Sequence, residues 1–118
     1  MGFIGKSKWI GVSGREYIFD DYTLDTVFAK DIIGNYIFCR TIFKNGKDEI
    51  YAIYIGEGII KDRIEFRIKD GKVLEKECDH VSVRILGKGE SGKWIEEDLL
   101  AVYFTAYEPI GCNIKTGG

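Results

Sequence analysis

Apolar and polar positions alternate along much of this chain, and mostly with the period of two that marks strands. Tyr36 to Phe43 is dense in aromatic and β-branched residues and stops at Lys44-Asn45-Gly46. From Glu49 to Ile55 the pattern resumes, with Tyr51, Ile53 and Ile55 alternating against Ile50, Ala52 and Tyr54. Asn-Gly between two such runs is the strongest short hairpin signal, because both central residues of a type I′ turn need positive φ. The spacing predicts a hairpin with Tyr36 and Tyr54 toward its outer ends, as spatial neighbours. His80 to Leu86 alternates as a further strand. Trp9 to Phe19, broken by Ser13-Gly14, predicts a short hairpin near the start.

Helical periodicity is rarer. Lys93 to Ala106 places Ile95, Leu99, Val102, Tyr103 and Ala106 on one stripe, with Ser91 as a cap and Pro109 beyond the end. Glu96, Glu97 and Asp98 near its start suit the helix dipole. Thr23 to Lys30 predicts a short helix, with Thr23 capping and Leu24, Val27 and Phe28 sharing a face. Residues 59 to 76 fit two patterns. Ile60, Ile64 and Ile68 stand four apart, as do Arg63 and Arg67, which reads as a helix. Arg63 to Lys69 also alternates, and Asp70-Gly71 can turn it into a second hairpin. Pattern and β-propensity leave both open and lean slightly to the hairpin.

The chain has 118 residues, 45% apolar and 31% charged, which predicts one globular domain with a real core. No run approaches the ~20 apolar residues of a membrane helix, and Met1 to Lys6 carries no apolar leader, so a cytoplasmic protein away from membranes is expected. Lys6 also stands where a myristoylation motif needs Ser or Thr. Cys39, Cys78 and Cys112 are odd in number and far apart, which excludes a disulfide framework and a CxxC metal pair. A net charge of −2 does not suggest a tight, salt-resistant DNA binder. Basic residues nevertheless concentrate at 61 to 76, where Lys61, Arg63, Arg67, Lys69, Lys72 and Lys76 outnumber the acids.

Two tyrosine triplets, Gly34-Asn35-Tyr36 and Tyr54-Ile55-Gly56, lie on consecutive strands, followed by Arg63 and then Glu96 before Leu99-Leu100. Glu108-Pro109-Ile110-Gly111-Cys112-Asn113 closes the series. In this order the segments resemble the GIY-YIG nuclease domain from about Gly34 to Asn113, roughly two thirds of the chain. The second triplet matches in full; the first has Asn35 at its middle position. Arg63 falls about one residue closer to Tyr54 than is usual, Arg67 stands where many relatives keep His or Tyr, and Glu96 lies further than usual from Asn113.

The resemblance implies an α+β fold, a small central antiparallel three-stranded sheet flanked by helices, with residues 1–33 as an extension and 34–114 as the nuclease core of a single domain. It also implies that 59 to 76 is helical, with Asp70-Gly71 as its stop. It implies a metal-dependent endonuclease hydrolysing DNA phosphodiesters. In that scheme Tyr36 prepares the attacking water, with neighbouring cations lowering a phenol whose ordinary pKa is about 10. Tyr54 and Arg63 hold the scissile phosphate, and His80 partly replaces the missing histidine. Gly56, Arg67 and Lys61 line the substrate, Gly56 by allowing close backbone approach. Glu96, with Glu97 as the alternative, carries Mg²⁺ or Mn²⁺, and Asn113 ties the chain's end to the site. The expected partner is duplex or branched DNA. With only ~33 residues before the core, too few for an independent DNA-binding module, specificity falls to that segment, a targeting protein or self-association.

Overall fold

The computed structural model describes residues 2–103. Asn113 and its proline-containing segment lie outside the described residues. Five strands and three helices follow one another as β1 (Phe3–Ile10), β2 (Glu16–Thr23), β3 (Ile33–Lys44), β4 (Lys47–Ile59), α1 (Ile60–Asp70), α2 (Lys72–Glu75), β5 (His80–Ile85) and α3 (Gly92–Tyr103). The strands form one antiparallel sheet in the order β1-β2-β5-β3-β4, giving an α+β fold. Among the described residues no helix is long and apolar enough to cross a membrane.

The Asn-Gly turn forms as expected: Asn45 and Gly46 have φ of 52° and 80°, and Lys44 pairs with Lys47. A bulge then shifts the register between Phe38 and Cys39, so Phe38 faces Tyr54 while Cys39 faces Ala52. One extra residue sits on β4, and the side-chain alternation on either side of it stays aimed at the correct layers. Tyr36, Phe38, Ile53, Val81 and Val83 bury against Ile60 and Ile64 of α1 and Val73 of α2. Ile37, Cys39 and Ile55 point the other way, joining Trp9, Tyr17 and Phe19 under Ile95, Leu99 and Leu100 of α3. The sheet is thus sandwiched, with α1 and α2 on one face and α3 on the other.

The choice at 59 to 76 falls to the helix. Buried Ile60 and Ile64 need a stripe with a spacing of four, and the amide of Ile60 is satisfied by the carbonyl of Ile32 at 2.9 Å. Gly71 ends α1 in the left-handed conformation (φ 80°), donating to the carbonyl of Ile68.

Two expectations are corrected. The sheet has five strands, not three, because the N-terminal hairpin pairs along β5 rather than standing apart. Buried Asp21 on β2 holds the seam, accepting hydrogen bonds from Ser7 at 2.7 Å and from Ser82 of β5 at 2.5 Å. The expected helix over Thr23 to Lys30 is absent; Thr23 ends β2 and the chain continues as turns. The hydroxyl of Thr23 bonds Asp25 and accepts from the amide of Gly2, a local arrangement that competes with helix formation. Leu24 and Phe28 pack on the core, while Val27 stands 81% exposed.

Asp98, grouped by its position with the acids that favour a helix start, performs a different task. Its buried carboxylate accepts from the Ser13 amide (2.9 Å), the Ser13 hydroxyl (2.8 Å) and the Tyr17 hydroxyl (2.8 Å), pinning the first hairpin to α3. Burial, the largest single influence, pushes this carboxyl up, but the hydrogen bonds from Ser13 and Tyr17 together hold it below the ordinary 3.8. Asp98→Ala strands the Tyr17 hydroxyl in the core and is expected to cost about 3 kcal/mol in urea unfolding. Because the folded carboxyl is depressed, its stabilisation is present above the unfolded pKa and lost as pH falls through the folded one. The gap between wild type and Asp98→Ala should therefore narrow below pH 3.8. A gap independent of pH would mean that the carboxylate is not the anchor.

Candidate active site

The candidate site lies where β4 runs out into α1. Tyr36 is directly opposite Gly56, and Tyr54 is opposite Phe38, so the two tyrosines are diagonal neighbours on one face. Their rings stack with centroids 6.0 Å apart and an interplanar angle of 16°. The Arg67 guanidinium lies 4.4 Å from the centroid of Tyr54 and donates a hydrogen bond to the hydroxyl of Tyr36. Asp70 holds the same guanidinium from one turn further on, at 3.5 Å. The Arg67 Nε is buried without a partner.

Tyr36 is 1% exposed and Tyr54 only half-buried, which separates their roles. Burial and then the Tyr54 phenol push the Tyr36 hydroxyl above its ordinary pKa; Arg67 and Arg63 oppose this without overcoming it. Desolvation of the phenolate outweighs the two guanidinium groups, so Arg63 and Arg67 by themselves do not lower this phenol. Tyr36 lies buried beneath the Tyr54–Arg67 layer, where its ring and hydroxyl position that layer.

Arg63 emerges on the same side of α1 as Arg67, its stem lying over Gly58, and it forms no ion pair among the described residues. Glu96 approaches from α3 on the opposite face of the sheet. The charge of Arg63 is felt, as the weakest of several influences, by both Tyr36 and Glu96. The Glu96 carboxyl is raised above its ordinary value, first by burial and then by the neighbouring Glu57 carboxylate. Glu97 is exposed and paired with Lys93 at 3.9 Å, whereas Glu96 is partly buried beside Glu57.

Two other expected members lie elsewhere. His80 pairs with Cys39 at the far end of β5 and projects to the α3 face, away from Tyr36. It is buried, and its Nδ1 lies 2.5 Å from Asp79. Side chains alternate in a strand, and an even number of positions from His80 never reaches the face of Val81 and Val83. Lys61 is two residues from Arg63, about 200° round the helix, and is occupied by Glu65 at 2.6 Å.

Two residues join the site that their patterns did not single out. Glu57 follows the second triplet and packs against Gly92, beside Glu96. Asn35, in the middle of the first triplet, is wholly buried and donates to the Gly92 carbonyl at 3.0 Å and, weakly, to the Gly56 carbonyl at 3.5 Å. It thereby clamps the strand that carries Tyr36 to the start of the helix that carries Glu96. An apolar residue there would leave both carbonyls without this donor; the signal was a polar residue inside an otherwise apolar strand.

Glu57 and Glu96 are hard oxygen donors whose mutual repulsion a divalent cation relieves, so the residues present fit Mg²⁺ or Mn²⁺. Among the described residues no three acidic, histidine or cysteine side chains gather as a ligand set. Compared with protein-family models, with curated proteins and with solved structures, the chain matches none.

Proposed function

We propose that this protein is a metal-dependent endonuclease that hydrolyses DNA phosphodiester bonds, a divergent relative of GIY-YIG domains. The observation that carries the reading is the stacked Tyr36–Tyr54 pair beside Arg67 and Arg63, with the Arg63 charge also reaching Glu96 on the other face. The order of strands β4-β3-β5, with α1 and α3 on opposite faces, agrees with it.

In hydrolysis a water oxygen bonds to phosphorus, the bond to one ester oxygen breaks, and the water proton ends on the departing alkoxide. Arg63 is the uncommitted guanidinium beside the site and donates to the non-bridging oxygens, where a fork of N–H groups suits a phosphate better than an ammonium. The Tyr54 hydroxyl positions the phosphate or its water. Arg67 adds positive charge from above the ring, and Tyr36 holds Arg67 and Tyr54 in register from beneath. Glu96 and Glu57 would hold the cation, which supplies charge neutralisation and a more acidic water.

The test is cleavage of supercoiled plasmid with Mg²⁺ or Mn²⁺. Wild type should nick or linearise the plasmid, chelator should abolish this, and Arg63→Ala should lower the rate about a hundredfold. Tyr36→Phe should cost less, because a buried positioning hydroxyl is removed and not a group that touches substrate. Equal activity in all variants means a contaminant. The burial of Tyr36 favours a second reading, a domain that binds nucleic acid or protein without cutting. Binding without cleavage on duplex, branched and single-stranded DNA would decide for it.

A further inference from the structure

Beside the candidate site, the corner between β4 and α1 opens into a groove of about 510 Å³ lined by Gly58, Ile59, Asp62, Arg63 and Phe66. Phe66 is 55% exposed and Ile59 41%, so a large aromatic ring and an aliphatic side chain face solvent within one turn of an uncommitted guanidinium. The Arg67 guanidinium lies 5.2 Å from the Phe66 ring centroid, linking this ring to the Tyr54 stack. An exposed phenylalanine on a helix costs solubility and contributes nothing to the core. Set beside Arg63, it has the chemistry of a nucleotide site, a flat apolar face for the base and a fork for the phosphate.

We propose that this groove takes an unpaired nucleobase stacked on Phe66, with Arg63 holding the adjoining phosphate, so that the substrate is DNA with unpaired nucleotides at the cleavage point: a branch, flap or frayed end rather than intact duplex. Electrostatics favour this choice. Duplex binding draws on many phosphate contacts, each releasing counterions. Here Lys61 is occupied by Glu65 and Arg67 by Asp70, leaving Arg63 as the one cation lining the groove, with the Asp62 carboxylate beside it, on a chain of net charge −2. Stacking does not depend on net charge and contributes about 1–3 kcal/mol per base. An unpaired base offers its face to Phe66; a paired one is hidden within the helix.

The inference rests on the nuclease reading in taking DNA as the ligand, but its test requires no cleavage. Fluorescence anisotropy in chelator compares a labelled single-stranded oligonucleotide with a blunt duplex of the same sequence. Wild type should prefer the single strand with a shallow salt dependence, corresponding to about one or two phosphates. Phe66→Ala should lose about tenfold in single-strand affinity, with duplex affinity unchanged and Phe66→Trp retaining or improving single-strand binding. Unchanged single-strand affinity in Phe66→Ala overturns the proposal, as does a wild-type preference for duplex. Phe66-dependent binding by a protein that cuts nothing would sink the nuclease reading and leave the groove standing. Plasmid cleavage with no effect of Phe66→Ala on binding would do the reverse.

Discussion

Glu96→Gln should lower the rate of plasmid cleavage by about a hundredfold to a thousandfold and at the same time raise the melting temperature. The two effects have one cause. Glu96 is held in a partly buried position beside Glu57, and both burial and that carboxylate push its pKa above the ordinary 4.5. A group whose folded pKa is raised contributes stability below its unfolded pKa and loses it as pH rises through the folded one. At neutral pH the ionised carboxylate is therefore a net cost to the fold, which the neutral amide removes. A cation held between Glu57 and Glu96 repays the same repulsion, so Mg²⁺ should raise the melting temperature of the wild type more than that of Glu96→Gln. A variant that loses both activity and stability would instead make Glu96 a structural residue.

The sequence carried the local part of this fold. Asn45-Gly46 determined the β3–β4 hairpin because its φ angles are intrinsic to those residue types. The strand at His80 and the helix at Lys93 followed from periodicity alone. Where one segment satisfied two periods, as from Arg63 to Lys69, local pattern did not decide; the burial of Ile60 and Ile64 under the sheet did. The misses are non-local. Asp98 could not be recognised as an anchor from its neighbours, since its partners Ser13 and Tyr17 are 85 and 81 residues away. Nothing near Asp21 announces Ser82, 61 residues on, so the fusion of the first hairpin to β5 was hidden as well. At the site, Tyr36, Tyr54 and Arg63 lie on the α1 side, while Glu96 stands on α3 across the sheet, where it still feels the Arg63 charge. Strand parity puts His80 on the face opposite the tyrosines, and helix angle turns Lys61 away from Arg63, two constraints legible once the elements are fixed. The burial of Tyr36 was hidden too, because charge can be counted in a sequence and burial cannot.

The triplet glycines yield the second large effect, and they separate fold from site. A Cβ on Gly34 would lie 2.1 Å from the carbonyl oxygen of Arg84 and 3.1 Å from the Cα of Ile85, all backbone of β5. No rotamer change relieves that clash, so β5 must move away from β3 and take its pairing with β2 along. Gly34→Ala should cost about 3 kcal/mol or more, read as a lower urea midpoint with the slope unchanged. A Cβ on Gly56 would instead meet the Tyr36 ring, 2.4 Å from both Cζ and the hydroxyl oxygen. A side chain can yield where a backbone cannot, and such overpacking costs about 1–3 kcal/mol. Its displacement disturbs Arg67 and the stack on Tyr54, however, so Gly56→Ala should lose at least tenfold in cleavage, on the grounds that an ångström of misplacement costs about a hundredfold. Gly34→Ala is then the variant that fails mainly in the urea curve and Gly56→Ala the one that fails mainly in the assay. If the order is reversed, the Tyr36 ring does not lie against Gly56, and the glycines of the two triplets serve the turn of the chain rather than the approach of its strands.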